Sequence, residues 1–338
     1  MKTDMRAMVI YQYGNNPVTE TRMPIPSMNP NEVRVKIIAA SINPIDSKIR
    51  DGGLRILLKY QFPLILGNDF SGVITEVGSN VKQFKIGDEV YGRPRKKKIG
   101  TFAEYISIDE HDIALKPNNL TFEEAASVPL VGLTSYQALN DMMKLKKGDK
   151  VLIQAGSGGV GTFAIQLAKV MGLFVATTAS PKGYNLVSQL GADKIINYRE
   201  QNFWEEISNY DGVFDTLGGD NLNHSFEVLK TGGTVASVSG IPTAKLGRRL
   251  KLGFAKTTLL GLASLKLLLK AKKHHVNYEF LFMEPSGEQL EIIRNLIEKG
   301  QIKPVIDRVY DFKDTQQAIE YSNSGRAKGK IIIKMEDK

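Results

Sequence analysis

The 338-residue chain has no cysteine. That absence excludes disulfides, thiolate nucleophiles, cysteine-rich zinc sites and iron–sulfur ligation together, and it agrees with a reducing compartment. Histidine is nearly as scarce, with only His111, His224, His274 and His275 present. The adjacent His274 and His275 lie in a basic stretch and read as a solvated pair rather than a metal site. No long apolar run occurs either. Met1 to Ile10 lacks the continuous apolar core of a leader. The leucine-rich stretch 245–275 is broken by Lys251, Lys256 and Lys266, too often for the roughly 20 apolar residues a membrane span requires. A cytoplasmic protein without a membrane partner is therefore expected. Glycine and proline, at 31 and 13 residues, are too few to signal disorder. A dedicated nucleic-acid motif is also missing, and the basic runs lack interleaved aromatics. Nucleic acid is thus not an expected partner, although the net charge of 45 − 36 = +9 would attract phosphorylated or anionic ligands.

What is present suggests two domains, from length alone. The first hundred residues are dense in turn residues (Pro24, Pro26, Pro30, Gly52, Gly53, Gly67, Gly72, Gly78, Gly87), with short alternating strands between them. Residues 5–11, 32–40, 72–77 and 89–91 read as strands, as in an irregular β-rich barrel. The basic run 93–98 reads as a solvated loop. Thr121 followed by Glu124 forms a capping box, and a helix is expected over 133–143. From Lys150 strands and helices alternate: strands at 151–153, 173–178, 194–197, 212–215 and 234–239, with helices at 160–171 and 184–190 between them. Repeated units of this length indicate a parallel, doubly wound sheet. The stretch 245–275 reads as one or two surface helices, with an active-site cover or a membrane-surface patch as alternatives. Helices at 288–299 and 315–322 and a strand at 330–334 close the chain. The C-terminal part is expected to rejoin the N-terminal β-rich part, leaving the nucleotide domain as an insertion.

Gly156-Ser157-Gly158-Gly159-Val160-Gly161 has G-x-G-x-x-G spacing, follows an expected strand and opens an expected helix. Glycines there let the backbone turn and approach a pyrophosphate, and the helix N-terminus stabilises the anion. A dinucleotide site is therefore predicted. Sites for NAD usually carry an acid about 20 residues further on to hold the ribose hydroxyls. Here the second strand ends in Thr177-Thr178-Ala179-Ser180-Pro181-Lys182, with no acid before Asp193. Ser180 and Lys182 suit a 2′-phosphate, with Tyr198 and Arg199 closing over it. NADPH is the predicted cofactor.

Several blocks stand in a fixed order: Ser41-Ile42-Asn43-Pro44-Ile45-Asp46 with Ile49-Arg50, Gly67-Asn68-Asp69-Phe70-Ser71-Gly72-Val73 with Glu76-Val77-Gly78, Gly87-Asp88-Glu89-Val90-Tyr91-Gly92, Ala125 to Leu139, Ala155 to Gly161, Leu190-Gly191-Ala192-Asp193, Phe214 to Gly219 and Gly325 to Ile333. With these blocks the chain resembles the zinc-independent quinone oxidoreductase and alkenal/enone reductase branch of the medium-chain dehydrogenases/reductases. The resemblance implies a Rossmann doubly wound parallel sheet inserted into a GroES-like β-rich catalytic domain. The boundaries expected are 1–125 with 275–338 for the catalytic domain and 126–274 for the Rossmann domain. It also implies a homodimer formed through the Rossmann sheet edge. The positions that hold zinc in metal-dependent relatives carry Ser41, Asn43 or Asp46, and Asn68-Asp69, so no metal site is expected.

Without a Lewis acid to stabilise an alkoxide, the favourable task is hydride transfer to an acceptor that is already electrophilic. A quinone or an α,β-unsaturated carbonyl meets that need, and the site then requires mainly positioning and hydrogen bonding. By resemblance, Asn43 is a candidate for the acceptor oxygen or the nicotinamide ribose, Asp46 for ordering its loop, and Thr134, Leu217, Gly240, Phe280, Phe282 and Lys330 for the cofactor. Structural roles compete at two of these: Asn43 as a turn residue and Asp46 as a helix cap. No general acid stands out. Tyr60 is a candidate, with packing as its alternative role, and water is the expected proton source. Two other functions remain open: an enoyl-thioester reductase, and an NADPH-binding RNA-binding protein without turnover.

Overall fold

Alternation specifies the longest strand of the N-terminal half. Val33, Val35 and Ile37 share one face, with Arg34 and Lys36 between them, and β-branched side chains at period two suit a pleated surface covered on one side. In the computed structural model, which describes residues 3–335, Glu32–Ile42 is an 11-residue strand and those three side chains are at most 1% exposed.

The chain divides into two compact units, Met1–Leu133 with Glu284–Lys338, and Thr134–Met283. In chain order the strands are β1 (Asp4–Ile10), β2 (Thr19–Pro24), β3 (Glu32–Ile42), β4 (Leu64–Ile65), β5 (Phe70–Val77), β6 (Glu89–Gly92), β7 (Tyr105–Asp109), β8 (Ile113–Leu115), β9 (Lys150–Ile153), β10 (Phe174–Ala179), β11 (Lys194–Asn197), β12 (Tyr210–Asp215), β13 (Leu229–Ser237), β14 (Asn277–Phe280), β15 (Ile306–Asp311) and β16 (Lys330–Lys334).

The first unit is β-rich. One sheet runs β15-β16-β3-β5-β6-β8, with β7 also paired to β3, and a smaller sheet runs β2-β1-β4. The C-terminal strand β16 lies antiparallel to β3, with Ile333 opposite Ala40. Strand β16 thus joins a sheet begun by β3, and the segment of the second unit between them is an insertion. Its core gathers Val33, Val35, Ile37, Phe70, Phe102, Phe312, Ile331 and Ile333. Glycine is required where strands crowd: a Cβ on Gly72 would meet the Lys36 carbonyl oxygen at 2.1 Å.

The second unit holds six parallel strands in the order β11-β10-β9-β12-β13-β14. The order reverses beside β9, the first strand in sequence. Val213, Val235 and Leu152 pack in its core with Phe226 and Tyr278. This is the doubly wound α/β arrangement expected.

Three expectations need correction. Residues 275–283 belong to the second unit, because Asn277–Phe280 pairs in parallel with β13; at the other boundary, residues up to Leu133 stay with the first. The helix expected over 133–143 starts earlier, at Pro129, and continues as a π turn over Gln137–Met142. The run 93–98 is not uniformly solvated. Arg93 is 1% exposed and Lys96 is buried, because Arg93 donates to the Asn68 side chain and the Pro94 carbonyl while Lys96 pairs with Glu284. The capping box at Thr121 and Glu124 is present.

Ile37→Ala removes buried volume from the first core, and a loss of about 2–5 kcal/mol is expected. Urea unfolding should show a lower midpoint with an unchanged slope.

Candidate active site

In the first unit the sequence-predicted polar residues converge on one carboxylate. Asp69, fully buried immediately before β5, accepts from Ser41 Oγ at 2.7 Å, Asn43 Nδ2 at 2.9 Å and the Leu130 N–H at 2.7 Å. Leu130 lies in the first turn of helix Pro129–Tyr136, so the carboxylate also meets the positive end of that helix. The ammonium of Lys330 stands 3.4 Å from Asp69 and also donates to the Ile42 carbonyl and Asn43 Oδ1. Its three donors are matched by three acceptors. Burial pushes the Lys330 ammonium pKa down, against the pull of Asp69.

Asn43 is therefore committed inside the unit. Its Nδ2 serves the Ser41 carbonyl at 3.3 Å and Asp69, and its Oδ1 receives Lys330. Asp46 sits at the third position of helix Pro44–Arg50, where its carboxylate accepts from the Asn43 N–H at 2.7 Å as a cap. Its other oxygen accepts from Asn68 Nδ2 at 2.7 Å. The fully buried setting raises its pKa from 3.8 to about 7, with burial the dominant cause. Asn68 in turn accepts from Arg93 at 3.1 Å. Asn68 and Arg93 were not among the predicted site residues. Arg93 was hidden in a basic run, but its position directly after β6 (Glu89–Gly92) was a usable signal. Tyr60 donates its hydroxyl to the Lys96 carbonyl at 2.6 Å, and burial raises its pKa well above the phenolic range.

In the second unit every predicted residue beyond Thr134 and Phe282 lies at or just past the carboxyl end of a parallel strand. Gly156 to Val160 follow β9, Ser180 and Lys182 follow β10, and Tyr198 follows β11. Leu217 follows β12, Gly240 follows β13, and Phe280 ends β14. Ala179 pairs with Asn197, so Ser180 and Tyr198 each follow directly on the paired ends of adjacent strands. Ligands of open α/β sheets bind at this edge, where the strand order reverses. Thr134 and Phe282 are buried.

The glycine loop owes its shape to close approaches more than to left-handed torsions. A Cβ on Gly156 would meet Thr177 Oγ1 at 2.1 Å, and one on Gly161 the Ala155 carbonyl oxygen at 2.4 Å. The loop residue with positive φ is Ala155, at 51°. Helix Gly159–Val170 begins after Gly158, and its first-turn amides have no carbonyl one turn back. They point a partial positive charge at the place a phosphate would take.

Asp215, another residue absent from the sequence prediction, holds the neighbouring loops. It accepts from the N–H groups of Leu217 at 3.1 Å and Gly218 at 2.8 Å, and from Ser237 Oγ. Ser237 Oγ then accepts from the Gly240 N–H at 2.7 Å. The acid nearest the end of β10 in sequence, Asp193, is bound instead to Lys169 at 2.7 Å and to the Val175 N–H at 2.7 Å, at the amino end of the strands. Among the described residues no group of histidine and acidic side chains forms a metal-binding cluster.

Comparison with known proteins agrees with these two halves. Residues 29–118 match the family described as alcohol dehydrogenase GroES-like domain, and residues 190–333 match that described as zinc-binding dehydrogenase. The NAD(P)H oxidoreductase RTN4IP1, mitochondrial, of Danio rerio is 34% identical over 99% of this chain and 93% of its own length. The NADPH-dependent alkenal/one oxidoreductase, chloroplastic, of Arabidopsis thaliana is 32% identical over 98% of this chain and 79% of its own. The structure of the quinone oxidoreductase from Coxiella burnetii superposes with a TM-score of 0.84 at 35% identity, covering 98% of this chain and all of that one. The chain belongs to the medium-chain dehydrogenase/reductase family of oxidoreductases, in its quinone and alkenal/enone reductase branch.

Two outcomes follow from the first-unit network. Lys330→Met strands the Asp69 carboxylate, and a loss of about 3–5 kcal/mol is expected in urea unfolding. Asp46 has a folded pKa raised to about 7 from 3.8. Its contribution to stability is therefore full below pH 3.8 and is lost as pH rises through about 7. Asp46→Asn should flatten the decline in stability across that window, read as unfolding midpoints at a series of pH values.

Proposed function

Starting from this family membership, we propose that the chain is an NADPH-dependent reductase of quinones or α,β-unsaturated carbonyl compounds that works without a metal ion. The observation that carries it is the edge of the six-stranded sheet, where the glycine loop, Ser180, Lys182, Tyr198, Leu217 and Gly240 all follow strand ends. The residues fit a nicotinamide dinucleotide. At Gly156 and Gly161 a Cβ would collide with Thr177 and Ala155, so only glycine allows this tight turn into the helix, and the first-turn amides of that helix suit the pyrophosphate. When bound, the cofactor supplies the hydride. The protein's share is to bind, orient and exclude water.

The preference for the 2′-phosphate rests on Asp193. That acid is tied to Lys169 and the Val175 backbone, so no carboxylate of the 179–193 segment is placed to hold the ribose hydroxyls. Ser180 and Lys182 offer a donor and a charge instead. The Arabidopsis relative carries NADPH in its name, which supports the same reading.

Zinc does not fit the first-unit cluster. Its donors are the oxygens and amides of Ser41, Asn43, Asp46, Asn68 and Asp69, with no thiolate or imidazole among them. The Lys330 ammonium already sits 3.4 Å from Asp69, where a second cation would be repelled. Asn43 and Lys330 use their donors on each other's neighbours, which favours a positioning role for both. Tyr60 holds its proton on the Lys96 carbonyl, and its raised pKa makes it a poor acid. Water is then the proton source. This also weighs against an enoyl-thioester reductase, which usually carries a proton-donating tyrosine. Homodimerisation is proposed through β14, an edge strand of its sheet.

NADPH should bind more tightly than NADH in calorimetry, and Lys182→Glu should weaken NADPH at least about tenfold, ~1.4 kcal/mol. Tighter NADH binding by the unmodified protein refutes the assignment. Turnover is read as loss of nicotinamide absorbance with a small quinone, a short enone and a crotonyl thioester. Activity on the thioester alone would replace the proposed substrate class. Tyr60→Phe should keep turnover, and its abolition with NADPH binding intact would identify Tyr60 as the acid.

A further inference from the structure

The stretch 245–275 folds into two helices, Ala244–Arg249 and the 20-residue Phe254–Lys273. The longer helix is apolar on two opposite sides. Leu260, Ser264, Leu267 and Ala271 recur at i, i+4, i+7 and i+11 and are buried, the spacing of one helical face. Leu262, Leu265 and Leu269 recur at i, i+3 and i+7 on the far side and are 66%, 50% and 57% exposed, and Phe254 at the first turn is 88% exposed. Ridges of exposed leucine on a helix that already has its core contacts add nothing to the fold, and a contiguous patch of this kind marks an interaction surface.

The charge around the patch says what covers it. No acidic residue occurs between Glu227 and Glu279, whereas Lys245, Arg248, Arg249, Lys251, Lys256, Lys266, Lys270, Lys272 and Lys273 all fall on these two helices or the turn between them. Lys245 and Lys270 are paired with Glu279 and Glu227. Arg248, Lys251, Lys266, Lys272 and Lys273 are exposed, and Lys266, Lys272 and Lys273 share the outward side with the leucines. A second copy of the chain docked through the same patch would set these lysines against their own images, since a two-fold contact is self-complementary. An anionic lipid surface meets both features: its acyl boundary takes the leucines and its headgroups take the lysines. Among the described residues no helix is long and apolar enough to cross a membrane. That concerns spanning, and a helix lying in the interface needs no such run.

We propose that Phe254–Lys273 is an amphipathic docking helix that holds the protein on an anionic membrane surface through Phe254, Leu262, Leu265 and Leu269 flanked by Lys266, Lys272 and Lys273. The proposal is independent of cofactor and substrate. Sedimentation of the full chain with vesicles tests it. Binding is expected to vesicles of two parts phosphatidylcholine to one part phosphatidylglycerol and not to pure phosphatidylcholine, and should weaken as salt is raised. The triple variant L262S/L265S/L269S should bind at least about tenfold more weakly with an unchanged thermal midpoint, and K266E/K272E/K273E should lose binding. No sedimentation of the unmodified protein overturns the proposal. So does equal binding by the serine variant, which would mean net charge alone. Conversion of a dimer to a monomer by the serine variant in light scattering would show that a second copy covers the face, and overturns it as well.

Discussion

The buried contact between Lys330 and Asp69 is what the first unit is built around. Asp69 receives bonds from the end of β3, the turn after it, and the helix at Pro129, while Lys330 comes from the last strand of the chain. Groups from three stretches of the chain, around residues 41–43, 130 and 330, thus meet on one carboxylate. Taking a carboxylate and an ammonium out of water is expensive, and the pair is tolerable only because nearly every lone pair and N–H around it is matched. Such a cluster contributes less to net stability than to uniqueness of arrangement. It is satisfied only when the C-terminal strand is in register against β3, so it couples the chain ends to the loop carrying Asn43 and Asp46.

The second unit depends on proximity rather than charge. Its central strand ends in a loop whose glycines are demanded by the Thr177 hydroxyl and the Ala155 carbonyl. The loop ends in helix amides suited to an anion. Asp215 does for the neighbouring loops what Asp69 does in the first unit: one buried carboxylate with backbone N–H groups of Leu217 and Gly218 and the hydroxyl of Ser237 around it. Rigid loops at a reversal of strand order suit a ligand whose recognition is spread over phosphates, sugars and a ring.

These features give the proposed chemistry a consistent character. The polar groups of the first unit are spent on one another, so they act as scaffolding, and the reaction they can assist is one that needs little acid–base help. Hydride transfer to a conjugated carbonyl or quinone is of that kind.

Much of this was legible along the chain. Alternating valines marked β3, the glycine spacing after Ile153 marked the phosphate loop, and the regular strand–helix rhythm marked the parallel sheet, because these signals are local and periodic. The missing thiols and the position of each imidazole already argued against zinc. Partnership was beyond its reach. Arg93 and Lys96 looked like part of a solvated basic run until Asn68 and Glu284 were brought to them, and Asp69 could not be seen as a hub while Lys330 lay 261 positions away. The leucines of 254–273 gave no clean stripe, since two faces were superimposed in one sequence and only packing separates the buried one from the exposed one. Periodicity belongs to the backbone and is written in order; charge pairing and burial depend on which distant segments meet, and the tertiary structure alone decides that.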